Sequence, residues 1–160
     1  MRAAAKYLTG DRPGSIADFN RALQINPDSF LAYAYRGFIA VAVGNKETGL
    51  ADLAKAVSLS PKNPIGYSLC GQAQMELKNF DAAIGHFNRA LELKPNYDSA
   101  YAYRGLVYIS QQDYAKGLAD VEKALSINAN NEVAYQGRAV YYLFKKRFDR
   151  STKLCDSIPI

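Results

Sequence analysis

Displaced by 34 residues, the sequence falls into register with itself along its whole length. Tyr33, Tyr67, Tyr101 and Tyr135 form one column, and Gly37, Gly71, Gly105 and Ala139 form another, with Ala3 ahead of them. Phe19, Leu53, Phe87, Val121 and Cys155 make a third column, and Ala22, Ala56, Ala90 and Ala124 a fourth. Pro27, Pro61 and Pro95 make a fifth, where Ala129 takes the next place. The string Tyr-Ala-Tyr-Arg-Gly recurs unchanged at 33–37 and 101–105. Self-similarity at such a period restricts a chain to stacked supersecondary units, none of which can bury its apolar face alone.

The columns also say what each unit is. Tyr101, Gly105 and Tyr108 are spaced i, i+4, i+7 and share one helical face, where the small residue lets a neighbouring helix approach closely. Asp11, Asn45, Asn79 and Asp113 recur at the same period just ahead of a second apolar pattern, and Asp and Asn are favoured N-caps. The prolines end that second helix, and Pro64 suits the first turn of the next one. Each unit is therefore predicted to be an antiparallel helical hairpin. The expected fold is all-α, a right-handed α-solenoid of stacked hairpins.

On these columns the chain resembles the tetratricopeptide repeat family, with 30–63, 64–97 and 98–131 as full repeats. Residues 1–29 read as a partial repeat and 132–160 as a truncated one whose shortened second helix begins near Arg147. The resemblance thus covers 1–160 as one solenoid. It implies a binding groove on the inner curve, formed by the stripe of each first helix beside the Tyr–Gly–Tyr face. By register that groove takes Tyr35, Phe38, Leu69, Gln72, Met75, Tyr103, Leu106, Gln136 and Val140. Leu31, Ala34, Val41, Ile65, Ser68, Ser99, Ala102, Ile109, Val133 and Leu143 continue the same stripe. None of these is charged. Relatives that grip the acidic tails of heat-shock chaperones use Lys, Asn and Arg at such slots, and Ala34, Phe38, Ile65, Leu69 and Tyr103 stand here instead. The implied ligand is an apolar or amphipathic peptide segment of a protein partner, held by buried anchors rather than by charge.

Arg36 and Arg104 precede the column glycines, with Arg2 and Arg138 in the same place at the two ends. Sixteen residues after three of them stand Asp18, Asp52 and Asp120, while the repeat that has Cys70 instead of arginine has His86 instead of aspartate. Partners that change together predict ion pairs within each hairpin, Arg2 with Asp18, Arg36 with Asp52 and Arg104 with Asp120, because a charge on a packed face must be paired. Their role is structural. Cys70 and His86 are too few ligands for a closed metal site.

A chain that is 49% hydrophobic and 22% charged has a globular profile. Of the net charge of +5, the last 16 residues carry +3 through Lys145, Lys146, Arg147, Arg150 and Lys153, so the body is nearly neutral and a dedicated nucleic-acid partner is not expected. No apolar run reaches membrane-spanning length, so a membrane partner is not expected either. Cys70 and Cys155 form no CxxC pattern, which suits a reducing, cytoplasmic setting. There is no phosphate loop, HExxH or GxSxG, and neither an enzyme nor a cofactor is expected. Neither end reads as a polar capping helix, so a segment of a longer protein, or a homo-oligomer associating through uncapped ends, is the structural alternative to a peptide-binding scaffold.

Overall fold

The computed structural model describes residues 11–155, with side chains through 146. Among the described residues every regular element is a helix: α1 (Arg12–Ile25), α2 (Phe30–Ala42), α3 (Lys46–Leu59), α4 (Pro64–Glu76), α5 (Phe80–Leu93), α6 (Asp98–Ser110), α7 (Tyr114–Ile127) and α8 (Glu132–Cys155). They belong to two compact units, Met1–Pro95 with α1 to α5 and Asn96–Ile160 with α6 to α8. In the first unit α2 and α3 form one hairpin and α4 and α5 the next; α1 packs on α2, and α4 packs on both α2 and α3. In the second, α6 and α7 form a hairpin, and α8 packs on both. The all-α hairpin architecture predicted from the period is what is observed.

The turn inside each hairpin follows one recipe. The amide of Asn45 donates to the carbonyl of Ala40 while that of Gly44 donates to Val41, a closure that puts one residue in the left-handed region. Asn79 with Gln74 and Asp113 with Tyr108 repeat it, using Lys78 (φ 61°) and Gln112 (φ 66°) where the first hairpin has Gly44 (φ 94°). The next residue starts the following helix. Asp11 and Asp113 accept from the amides of Gly14 and Lys116, whereas Asn45 and Asn79 occupy the cap position without a side-chain capping bond.

In the α2–α3 and α6–α7 hairpins the two helices cross at a pair of glycines. A Cβ on Gly37 would stand 2.7 Å from the Gly49 carbonyl oxygen, and one on Gly105 would stand 2.9 Å from that of Gly117. Ser15, Gly49, Ala83 and Gly117 form a further column of small, buried residues on the second helices, which the sequence reading did not single out. Close approach lets Leu53 and Val121, 1% and 0% exposed, reach under the first helix.

Three expectations change. Leu69 is 6% exposed and belongs to one apolar cluster with Ala34, Val41, Leu53 and Ala56, so it is core and not groove. Ser68, Ala102 and Ile109, placed on the inner stripe by register, are likewise buried. Residues 132–155 form one continuous helix, so the shortened second helix predicted near Arg147 does not start there. Arg147 stands where the other hairpins have Asn or Asp, and without that cap the helix runs through the place of the turn.

Candidate functional site

In the first unit, Leu31, Tyr35 and Phe38 stand at i, i+4, i+7 on α2, and Ile65, Gln72 and Met75 stand on the neighbouring α4. Leu31 and Tyr35 are 41% and 38% exposed, and the other four are half-buried. Phe38 and Ile65 lean on the apolar cluster below. The Tyr35 ring stacks on Phe19 of α1, with centroids 6.0 Å apart and planes 10° apart, so it is held rather than swinging freely. Gln72 Nε2 lies 3.5 Å from the Ser68 hydroxyl. All six residues are uncharged, so the face offers apolar contact and two polar tips.

In the second unit, Tyr103 and Leu106 on α6 and Val140 on α8 are half-buried, and Gln136 is exposed. Gly137 falls in the column of Tyr35, Leu69 and Tyr103, and a Cβ there would lie 3.3 Å from Leu106 Cδ2 and 2.8 Å from Val121. Leu106 thus closes over the space a larger residue would fill.

The arginine column lies on another side of the same helices. Arg36 Nε and Nη2 donate to Asp52 Oδ2 and Oδ1 at 2.6 and 2.7 Å, and Arg104 holds Asp120 in the same way at 2.6 and 2.8 Å. These hydrogen bonds hold both guanidinium pKa values above the ordinary value. Each guanidinium also lies over the tyrosine three residues earlier: Arg36 over Tyr33 and Arg104 over Tyr101, both at 5.4 Å, and Arg138 over Tyr135 at 4.8 Å. Arg36 Nη1 reaches Asn20 of α1 at 2.7 Å, and Arg138 lies 3.8 Å from Glu122 of α7. Asn20 and Glu122 thus hold the same place in the repeat, from which the following arginine is tied to the preceding helix, and Ala54 falls in the same column. That link was absent from the sequence reading, although Ala54 gives a signal: it stands sixteen residues before Cys70, so where the arginine is replaced its partner position in the preceding repeat is apolar too. In that repeat Arg89 covers the tyrosine instead, 5.9 Å over Tyr67. The predicted partner of Asp18, Arg2, lies outside the described residues.

Cys70 is buried, and burial pushes its thiol up to about 11. Burial also holds His86 below its ordinary value. Among the described residues no group of three His, Cys, Asp or Glu could hold a metal ion. No described helix is long and apolar enough to cross a membrane.

The description "Tetratricopeptide repeat" belongs to two family models, one matching residues 64–97 and the other residues 98–131. Residues 64–131 are tetratricopeptide repeats. Comparison with curated proteins gives no match in sequence. A crystal structure of MamA is 28% identical, with a TM-score of 0.67 over 94% of this chain and 88% of that one. TTC0263, a thermophilic tetratricopeptide protein of Thermus thermophilus, is 23% identical with a TM-score of 0.83, over 92% of this chain and 81% of that one. The first tetratricopeptide domain of Spaghetti (RPAP3), solved bound to the HSP90 peptide SRMEEVD, is 24% identical with a TM-score of 0.63, over 72% of this chain and 93% of that one. Tetratricopeptide-fold proteins are generally non-catalytic, and the repeats of this chain support a protein-interaction scaffold.

Proposed function

We propose that this tetratricopeptide protein is a non-catalytic scaffold that receives an apolar or amphipathic segment of a partner protein on the inner stripe of its first helices. The observation that carries this reading is the uncharged face of α2 and α4, on which Leu31 and Tyr35 stay exposed beside half-buried Phe38 and Met75. An exposed aromatic that is stacked in place loses little freedom on binding and makes a good anchor. Tyr103, Leu106, Gln136 and Val140 give the second unit a face of the same chemistry. RPAP3 takes an acidic peptide, but recognition of a carboxylate needs cations. Ala34, Phe38, Ile65, Leu69 and Tyr103 supply none.

The test is selection of peptides on the immobilised chain from a displayed random library, with SRMEEVD as a reference ligand. Selected peptides should be rich in Leu, Phe and Trp, should lose binding to Tyr35→Glu or Tyr103→Glu chains whose circular dichroism is unchanged, and should not be displaced by SRMEEVD. Recovery of acidic peptides, or binding indifferent to both substitutions, would sink the reading.

A further inference from the structure

Two columns on the stripe of the first helices change together in one repeat. Phe38, Gln72, Leu106 and Val140 hold one place, and Ala34, Ser68, Ala102 and Gln136 hold the place four residues earlier. In α2 and α6 both places are apolar, whereas in α4 both are polar. Gln72 is half-buried, and Ser68 is 1% exposed.

Neither polar group is well provided for within the chain. Among the described residues the one hydrogen-bond contact of the Ser68 hydroxyl is Gln72 Nε2, at 3.5 Å and so at the limit of hydrogen bonding. A glutamine amide has two N–H donors and a carbonyl oxygen that accepts twice, and Gln72 spends one of these on Ser68. A polar pair set among apolar neighbours lowers stability unless its groups are bonded, and a few polar groups in an apolar site are what orient a ligand.

Resting on the inner-stripe reading, we propose that the partner segment on the first unit is bound in extended form, with the Gln72 amide bonded to one of its backbone peptide groups. An extended chain presents an N–H and a C=O at each residue and points alternate side chains to one side, so apolar side chains can flank that bond and seat on Phe38 and Met75. An α-helix has spent its mid-length backbone groups on itself. Its apolar face would strip water from Gln72 and return no hydrogen bond. Leu31, Tyr35, Phe38, Ile65 and Met75 place no charge around the amide, which suits a neutral peptide group and disfavours a carboxylate or an ammonium.

The test selects binders on the immobilised full chain from two displayed libraries. One holds short linear peptides with a fixed central proline, which a helix interior does not accept; the other holds a helical-hairpin scaffold randomised on one helix face. Linear binders should lose about tenfold or more in affinity on Gln72→Leu, and the helical library should yield none that Tyr35→Glu abolishes. Gln72→Leu removes one long hydrogen bond and should melt like the parent. In a synthetic copy of the strongest linear binder, backbone amides are exchanged one at a time for esters, which deletes an N–H and weakens a carbonyl. One position should cost about tenfold on the parent and little on Gln72→Leu. Helical binders lost with Tyr35→Glu, linear binders indifferent to Gln72→Leu, or ester losses equal on both chains would overturn the inference and leave the inner-stripe reading standing. Failure of both libraries, or binders indifferent to Tyr35→Glu, would overturn that reading and the inference with it.

Discussion

Arg36 and Asp52 are joined by two parallel hydrogen bonds, with the aspartate side chain only 9% exposed and the guanidinium 22% exposed. The same geometry recurs at Arg104 and Asp120 one double period later, so the repeat copies an interaction as well as a fold. Removing one member leaves the other desolvated without its counter-charge, which costs more than the pair contributes. Asp52→Ala and Asp120→Ala should each lower stability to urea by about 2–4 kcal/mol. Replacing both Arg36 and Asp52 by Met and Leu should cost less than Asp52→Ala alone. A double variant as damaged as the single one would show that the pair does more than balance charge.

Two glycines of similar helical setting should respond in opposite directions. Gly85 lies inside α5 with nothing within 4 Å of an added Cβ, and Gly85→Ala should stabilise by about 0.5–1 kcal/mol. Gly49 faces backbone at 2.6 Å, and Gly49→Ala should destabilise by about 1–3 kcal/mol as α2 and α3 are forced apart. Thermal melts of the two variants check the contrast.

Leu69 and Leu31 divide core from surface on the stripe that register alone treats as uniform. Leu69→Ala should cost about 2–4 kcal/mol, whereas Leu31→Ala, at a site 41% exposed, should cost under about 1 kcal/mol. Equal losses in urea titrations would return Leu69 to the groove.

Half-buried His86 and buried Cys70 set opposite pH limits. Burial holds His86 below its ordinary value of 6.5, so the unfolded chain binds a proton that the folded chain resists. Its share of stability is complete above about pH 6.5 and is lost as pH falls from there toward the folded value. Burial raises Cys70 from 9.0 to about 11, so stability falls as pH rises through that interval. Urea midpoints of His86→Gln should vary less than the parent's between pH 5 and 7. In a Cys155→Ser background, the Cys70 thiol should react with a disulfide reagent at pH 8 far more slowly in the folded chain than in urea. A native thiol that reacted at the unfolded rate would contradict its burial.

Much of this architecture was legible in the sequence because it repeats. The helix starts after Asn45, Asn79 and Asp113, the proline breaks, and the Arg36–Asp52 and Arg104–Asp120 pairs rest on local chemistry or on substitutions that occur together. Even the end of the pattern left a mark, since Arg147 occupies the cap column and no helix begins there. The bond from Arg36 to Asn20 left a fainter one, in the concerted change to Cys70, Ala54 and His86.

Depth was not legible, because periodicity gives the direction in which a side chain points and not how closely a neighbouring helix approaches it. Leu31 and Leu69 differ by only four positions within the repeat, yet contacts between α2, α3 and α4 bury one and leave the other open. Tyr142 and Leu143 show the same limit on α8, where only the path of the following backbone decided whether a hairpin partner would cover them. Local interactions fixed where helices begin and end and which charges pair, and tertiary packing alone decided which apolar residues were left exposed.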